Sequence, residues 1–275
     1  MEITFLGTGT SQGVPVIACR CPVCHSTDPH DKRLRTTALV ADSDGNNILI
    51  DIGPDFRQQM LSHDVRHLEA ILITHAHRDH VGGIDDIRPL NWVQHSNMEV
   101  YANKPAIQSL KHDYRYIFEP HIYPGLPEVT LHDVSDLMPF SVGRMTITPI
   151  AGMHKDLPVV GYRIEERASM PESTPPRQHP LLVKKMAYIT DMNHITDREQ
   201  QKLYDLDLLV INALRPAKHF SHFSLPESLE IIARCKPSMA YLTHMSHEMG
   251  FHAEVEPTLP SNVHLAFDGL KVTID

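Results

Sequence analysis

The chain has 275 residues, 41% of them apolar, and a formal net charge of −9, which is ample for a sizeable core and shows no break in composition, so a single domain over residues 1–275 is expected. The acidic balance argues against long nucleic acid as a partner, because such proteins carry a basic footprint. The longest apolar runs, such as Leu206 to Leu214, are interrupted by charge and too short for a membrane span.

Glu2-Ile3-Thr4-Phe5-Leu6 enters a strand pattern at once rather than a signal peptide, which makes the cytoplasm the expected location and a membrane partner unexpected. A glycine-rich loop, Gly7 to Gly13, follows. It lacks the Gly-Lys-Ser/Thr ending and the helix of a phosphate-binding loop. Cys19-x-Cys21-x-x-Cys24 then places three thiols within six residues, a metal-site distribution rather than a disulfide framework. Three thiolates wrap one side of a tetrahedral zinc, and a closed site needs a fourth ligand from elsewhere. Cys235 differs, falling on the apolar stripe of Leu225, Leu229 and Ile232, where a thiol is a small hydrophobe.

Thr36 to Ala41 and Asn46 to Ile52 read as a hairpin around Asp44-Gly45, ending in Asp51, and a helix is expected from about Asp55 to Ser62. Ala70 to Gly83, AILITHAHRDHVGG, is the stretch that carries the chemistry. Its apolar part is short and branched, as in a strand covered on both faces. His75 and His77, two apart, point the same way from an extended backbone, and Asp79 and His80 come one turn later. Two nitrogens for one cation and a carboxylate plus a nitrogen for another suit zinc, manganese or iron.

Beyond Gly83, Asp85 to Gln94 and Lys104 to Phe118 are expected helices with a strand at Glu99 to Tyr101 between them, and Arg88 and Asn91 are expected at a solvated surface. Met145 to Ile150 and Val159 to Glu165 are strands flanking Ala151-Gly152-Met153-His154. Residues 166–180 turn to Pro, Ser, Glu and Arg, the pattern of a polar hairpin excursion. Met186 to Asp191 is a strand ending in an acid, Thr196-x-x-Glu199 and Ser224-x-x-Glu227 are capping boxes, and Met239 to Thr243 is a strand before His244. Val263 to Ile274 closes the chain with strand pattern around Asp268-Gly269.

The His75-x-His77-x-Asp79-His80 motif with Gly82-Gly83 resembles the signature of the metallo-β-lactamase superfamily, most closely the PhnP-type phosphodiesterases. The resemblance implies an αββα sandwich of two sheets with outer helices, an α/β fold with its ligands at one edge. It implies His75, His77 and His154 on a first metal, Asp79, His80 and His244 on a second, and Asp191 bridging both. Asp51 matches an aspartate that supports the histidine loop through hydrogen bonds. His247, the second histidine of Thr243-His244-Met245-Ser246-His247, matches the fourth ligand of the cysteine site. His222, just ahead of a helix N-terminus, matches a catalytic histidine and is expected to act as general acid, with His219 as the alternative.

Two divalent cations, manganese by resemblance or else zinc or iron, and one structural zinc are therefore expected. With three thiolates they bring the net charge only to about −6. The implied activity is hydrolysis of small or cyclic phosphodiesters, with a homodimer implied by the same resemblance. A tRNA 3′-processing-like endonuclease, a thioesterase or lactonase, and a PqqB-like biosynthetic accessory protein are the alternatives.

Overall fold

The computed structural model describes residues 1–119, 125–167 and 183–274. In chain order its strands are β1 Glu2–Gly7, β2 Thr37–Ala41, β3 Asn47–Ile50, β4 Ala70–Leu72, β5 Met98–Ala102, β6 Val129–Asp133, β7 Phe140–Val142, β8 Met145–His154, β9 Leu157–Arg167, β10 Val183–Ile189, β11 Leu208–Asn212, β12 Met239–Thr243, β13 Val263–Leu265 and β14 Lys271–Thr273. They form two seven-stranded sheets, ordered β14-β1-β2-β3-β4-β5-β6 and β13-β12-β11-β10-β9-β8-β7.

Each sheet changes character midway. β14, β1, β2 and β3 pair antiparallel and β3 to β6 parallel, while β7 to β10 pair antiparallel and β10 to β13 parallel. A parallel pair needs a crossover long enough for a helix. Phe56–Ser62 supplies it between β3 and β4, Lys104–Asp113 between β5 and β6, and Leu225–Cys235 between β11 and β12.

The sheets face each other across one core, in which Phe5, Val40, Ile50 and Leu72 meet Met145, Tyr162, Tyr188 and Leu208. Alternate residues of the same strands, Leu49 and Ile71 among them, pack outward on Phe56, Leu90 and Leu110. Leu209 and Ile211 do the same against Ile231, Ile232 and Cys235. The result is the expected helix–sheet–sheet–helix sandwich, and the apolar run from Ala70 is covered on both faces. Tyr162 ties the layers, its hydroxyl donating to the Ile73 carbonyl at 2.6 Å.

Several local expectations are corrected. Asn91 is buried and not at a solvated surface, because its amide donates to the carbonyls of Ser96 and Glu128 and accepts from Glu128 N–H. Thr196 caps its helix, yet Glu199 does not complete the box; its carboxylate accepts from Ala151 N–H and Lys202. The strands expected around Asp268-Gly269 are present, β13 in one sheet and β14 in the other. The short edge strands β6 and β7 had no expected counterpart. Of the polar excursion, Glu166 and Arg167 end β9, and residues 168–180 lie outside the described residues. Among the described residues no helix is long and apolar enough to cross a membrane.

Candidate active site

The expected ligands gather where the strands of both sheets end. Asp51 follows β3, His75 follows β4, His154 ends β8, Asp191 follows β10 and His244 follows β12. Asp51, Asp191 and His244 all adopt left-handed backbone conformations, with φ of 62°, 55° and 56°. This reverses the chain at each strand end and costs of order 1–3 kcal/mol per residue, a strain that clusters at functional sites. Close approach matters equally: a Cβ on Gly53 would stand 2.2 Å from the Asp79 carbonyl oxygen.

The imidazoles are oriented from behind. His80 Nδ1 donates to the buried Asp51 carboxylate at 2.7 Å. His154 Nδ1 donates to the Ser221 carbonyl at 2.8 Å. The Thr36 hydroxyl gives its hydrogen to the Gly9 carbonyl and so accepts from His244 Nδ1 at 3.1 Å. The Thr74 hydroxyl donates to Asp51 and lies 3.1 Å from His75 Nδ1. Each of these four rings is therefore turned with its Nε2 facing inward. His77 instead offers Nδ1, 3.0 Å from His75 Nε2. Thr36, Thr74 and Ser221 were not expected at the site; only the placement of Thr74 beside His75 hinted at one of them.

Two overlapping groups result. Asp79, His80, Asp191 and His244 bring ligand atoms within 4.8 Å of one another, and so do His154, Asp191 and His222. Asp191 is common to both. Its Oδ1 lies 2.9 Å from His222 Nε2 and 3.1 Å from His244 Nε2, and its Oδ2 lies 3.2 Å from His80 Nε2. The His75, His77 and His154 rings lie within 5.6 Å of one another. His222 is thus closer to the ligand atoms than a distant proton donor would be, and His219 Nδ1 stands behind it, 3.2 Å from His222 Nδ1.

The electrostatics suit cations. Burial drives His75 well below the ordinary imidazole value and holds His244 down at about 3, so both stay neutral and keep their lone pairs. Burial also opposes charge on His80, but Asp191, Asp79 and Asp51 together outweigh it and drive its pKa well above normal. For Asp191, burial is likewise outweighed, first by His244 and then by His80, and its pKa falls well below the carboxylate range. Asp51, fully buried, is pushed up by burial. His80 Nε2 is buried with no hydrogen-bond partner, although two carboxylates lie 3.2 Å away. An orphaned nitrogen among carboxylates is what a cation would satisfy, so the residues fit a two-metal centre.

The cysteine site also assembles. Cys19, Cys21, Cys24 and His247 bring ligand atoms within 4.8 Å of one another. His247 Nδ1 is 3.2 Å from Cys21 Sγ and 3.5 Å from Cys19 Sγ, across more than 220 residues of chain. His247 lowers the Cys21 thiol to about 6, while burial raises Cys24 to about 11. Three sulfurs and one nitrogen make a closed four-donor set that fits a metal ion.

Residues 46–245 match the model of the beta-lactamase superfamily domain. A crystal structure of a diphosphatase from the PhnP family superposes with a TM-score of 0.85 and 35% identity over 100% of this chain and 98% of that one. Zn2+-bound PqqB from Methylobacterium extorquens shares the fold, with a TM-score of 0.76 and 16% identity over 100% of both chains. An octanoyltransferase of Porphyromonas gingivalis is 40% identical over 276 residues, covering 100% of this chain and 52% of that protein, so the chain spans about half that relative's length. With two sheets, a shared carboxylate between two ligand groups and these relatives, the chain belongs to the metallo-β-lactamase superfamily of metal-dependent hydrolases and, within it, to the PhnP family.

Proposed function

We propose that the chain is a phosphodiesterase that hydrolyses a small phosphodiester or a related phosphoanhydride. The observation that carries this is Asp191, whose carboxylate groups with Asp79, His80 and His244 on one side and with His154 on the other, with His222 hydrogen-bonded to it. The diphosphatase activity of the PhnP-family relative supports phosphorus chemistry. Bound there, two divalent cations neutralise a phosphoryl group and supply a nucleophile at neutral pH. Manganese is proposed for the pair and zinc for the cysteine site, whose thiolates suit a reducing cytoplasm.

The chain's own residues do the rest. Asp51 and Thr74 hold His80 and His75 in one orientation, and Thr36 and Ser221 do so for His244 and His154. His222 Nε2, paired with Asp191, holds the proton delivered to the leaving oxygen, a step worth about 10² to 10⁴ in rate. His219 and the Ser221 hydroxyl, both near His222 Nδ1, position the ring.

The octanoyltransferase name belongs to a protein about twice as long. In this chain Cys235 is buried and the other three cysteines form the tetrad, so no thiol is placed to carry an acyl group. The test is a side-by-side panel on metal-replete protein: bis(p-nitrophenyl) phosphate, 2′,3′-cyclic nucleotides, a substituted diphosphate, a phosphomonoester, a tRNA precursor, a thioester, a lactone and a β-lactam. Turnover of the diesters or the diphosphate above all others is expected. A preference for the thioester or lactone would overturn the proposal.

A further inference from the structure

Beside the centre lies a cavity of about 310 Å³ lined by Ser11, Arg35, Pro54, Arg78, Asp79 and Gly82. Asp79 also belongs to a ligand group, so the cavity adjoins the reaction site. In an acidic chain, this cavity places two arginines side by side, of which Arg78 has no carboxylate partner among the described residues.

Arg78 is exposed yet held in place. The guanidinium lies over the Tyr114 ring at 5.4 Å, and Nη1 donates to the Tyr114 hydroxyl at 2.8 Å. Tyr114 is itself buried, and its hydroxyl donates to the Val81 carbonyl. A rigid tyrosine thus fixes one edge of the guanidinium and leaves Nε and Nη2 to other partners, and among the described residues no carboxylate pairs with Arg78. Arg35 is partly committed, with Nη2 paired to Asp55 at 2.8 Å, but its Nε is buried without a partner.

We propose that this cavity is the subsite for a second phosphoryl group, and that the substrates are substituted diphosphates with the scissile phosphorus at the ligand groups and its neighbour at Arg78. This rests on the hydrolase reading above and narrows its substrate class. A planar guanidinium matches two phosphate oxygens at once, and the Ser11 hydroxyl at the rim adds a donor. In the reaction a water oxygen forms a new bond to one phosphorus and the bridging P–O bond breaks. The second phosphoryl group departs with the bridging oxygen, and one proton is released or carried by that product.

The test compares wild type, R78Q and R78K, all metal-replete, on ADP-ribose and on bis(p-nitrophenyl) phosphate, with α,β-methylene-ADP binding followed by calorimetry. The R78Q variant is expected to lower kcat/KM for ADP-ribose about tenfold more than for the diester, through KM, and to weaken the methylene analogue about tenfold. R78K, which keeps the charge and loses the planar fork, is expected to lie between. If Arg78 only braces Tyr114, R78Q lowers thermal stability while both substrates and the analogue change in parallel, and the subsite proposal falls. If wild type turns over neither substrate, the hydrolase reading falls instead, and the calorimetry decides the subsite separately: an unchanged affinity in R78Q overturns it.

Discussion

His80 Nδ1 lies 2.7 Å from the Asp51 carboxylate in a fully buried pair that aims His80 Nε2 between Asp79 and Asp191. Asp51 also accepts from Thr74 N–H and the Thr74 hydroxyl, so one strand-end carboxylate orients His80 and anchors the residue before His75. Supporting partners of this kind are worth about 10- to 100-fold in metal affinity. Asp51→Asn, which places an amide against donors, should weaken the second metal by that amount while leaving the cysteine zinc in place. Metal titration of the variant checks this.

If the cysteine tetrad holds a structural zinc as proposed, its loss should affect folding and leave the chemistry intact. Cys21 is the sulfur nearest His247, and losing it leaves three ligands. Cys21→Ser should abolish the single tightly held zinc and lower Tm, because structural zinc binding is folding free energy. Elemental analysis should still find the exchangeable pair, and the folded fraction should keep its turnover per molecule.

His222 presents a sharper choice, since its Nε2 sits 2.9 Å from Asp191 and within a ligand group. As a proton donor, its replacement by Ala should keep both active-site metals and cost about 10²-fold or more in turnover. His219→Ala, one ring further back, should cost less. Loss of a metal from His222→Ala, measured by elemental analysis, would reassign His222 as a ligand.

Asp42 joins the two sheets. Its carboxylate accepts from the N–H groups of Asp44, Asn46 and Arg144 and from the Asn46 amide, at 2.7 to 3.0 Å. Burial opposes its ionised form, but these four donors outweigh it and depress the pKa below the ordinary carboxylate value. A depressed carboxylate contributes stability above its unfolded pKa of about 3.9 and loses it as pH falls through the folded value. Asp42→Ala should therefore be less stable than wild type by about 1–3 kcal/mol near pH 7. The difference in unfolding free energy should shrink below about pH 4. A gap that is constant with pH would remove the carboxylate from the explanation.

The sequence by itself determined whatever depends on neighbours along the chain. His75, His77, Asp79 and His80 lie within six residues, so a strand followed by one helical turn brings them together wherever it packs, and Cys19, Cys21 and Cys24 behave alike. The reciprocal Ser224–Glu227 cap and the both-faces-buried β4 are legible for the same reason. The motif residues His154, Asp191, His244 and His247 could be named by resemblance, but their meeting depends on two sheets closing on one core. Tertiary structure alone decided the partners of buried polar groups: Thr36 behind His244, the Ser221 carbonyl behind His154, Asn91 on the Glu128 backbone, and Glu199 drawn from its cap to Ala151. It also sent β13 and β14 to different sheets and set Tyr114 beneath Arg78. Hydrophobic period and capping pattern are properties of a few consecutive residues, whereas a buried donor takes whichever acceptor the packing of distant segments brings within about 3 Å.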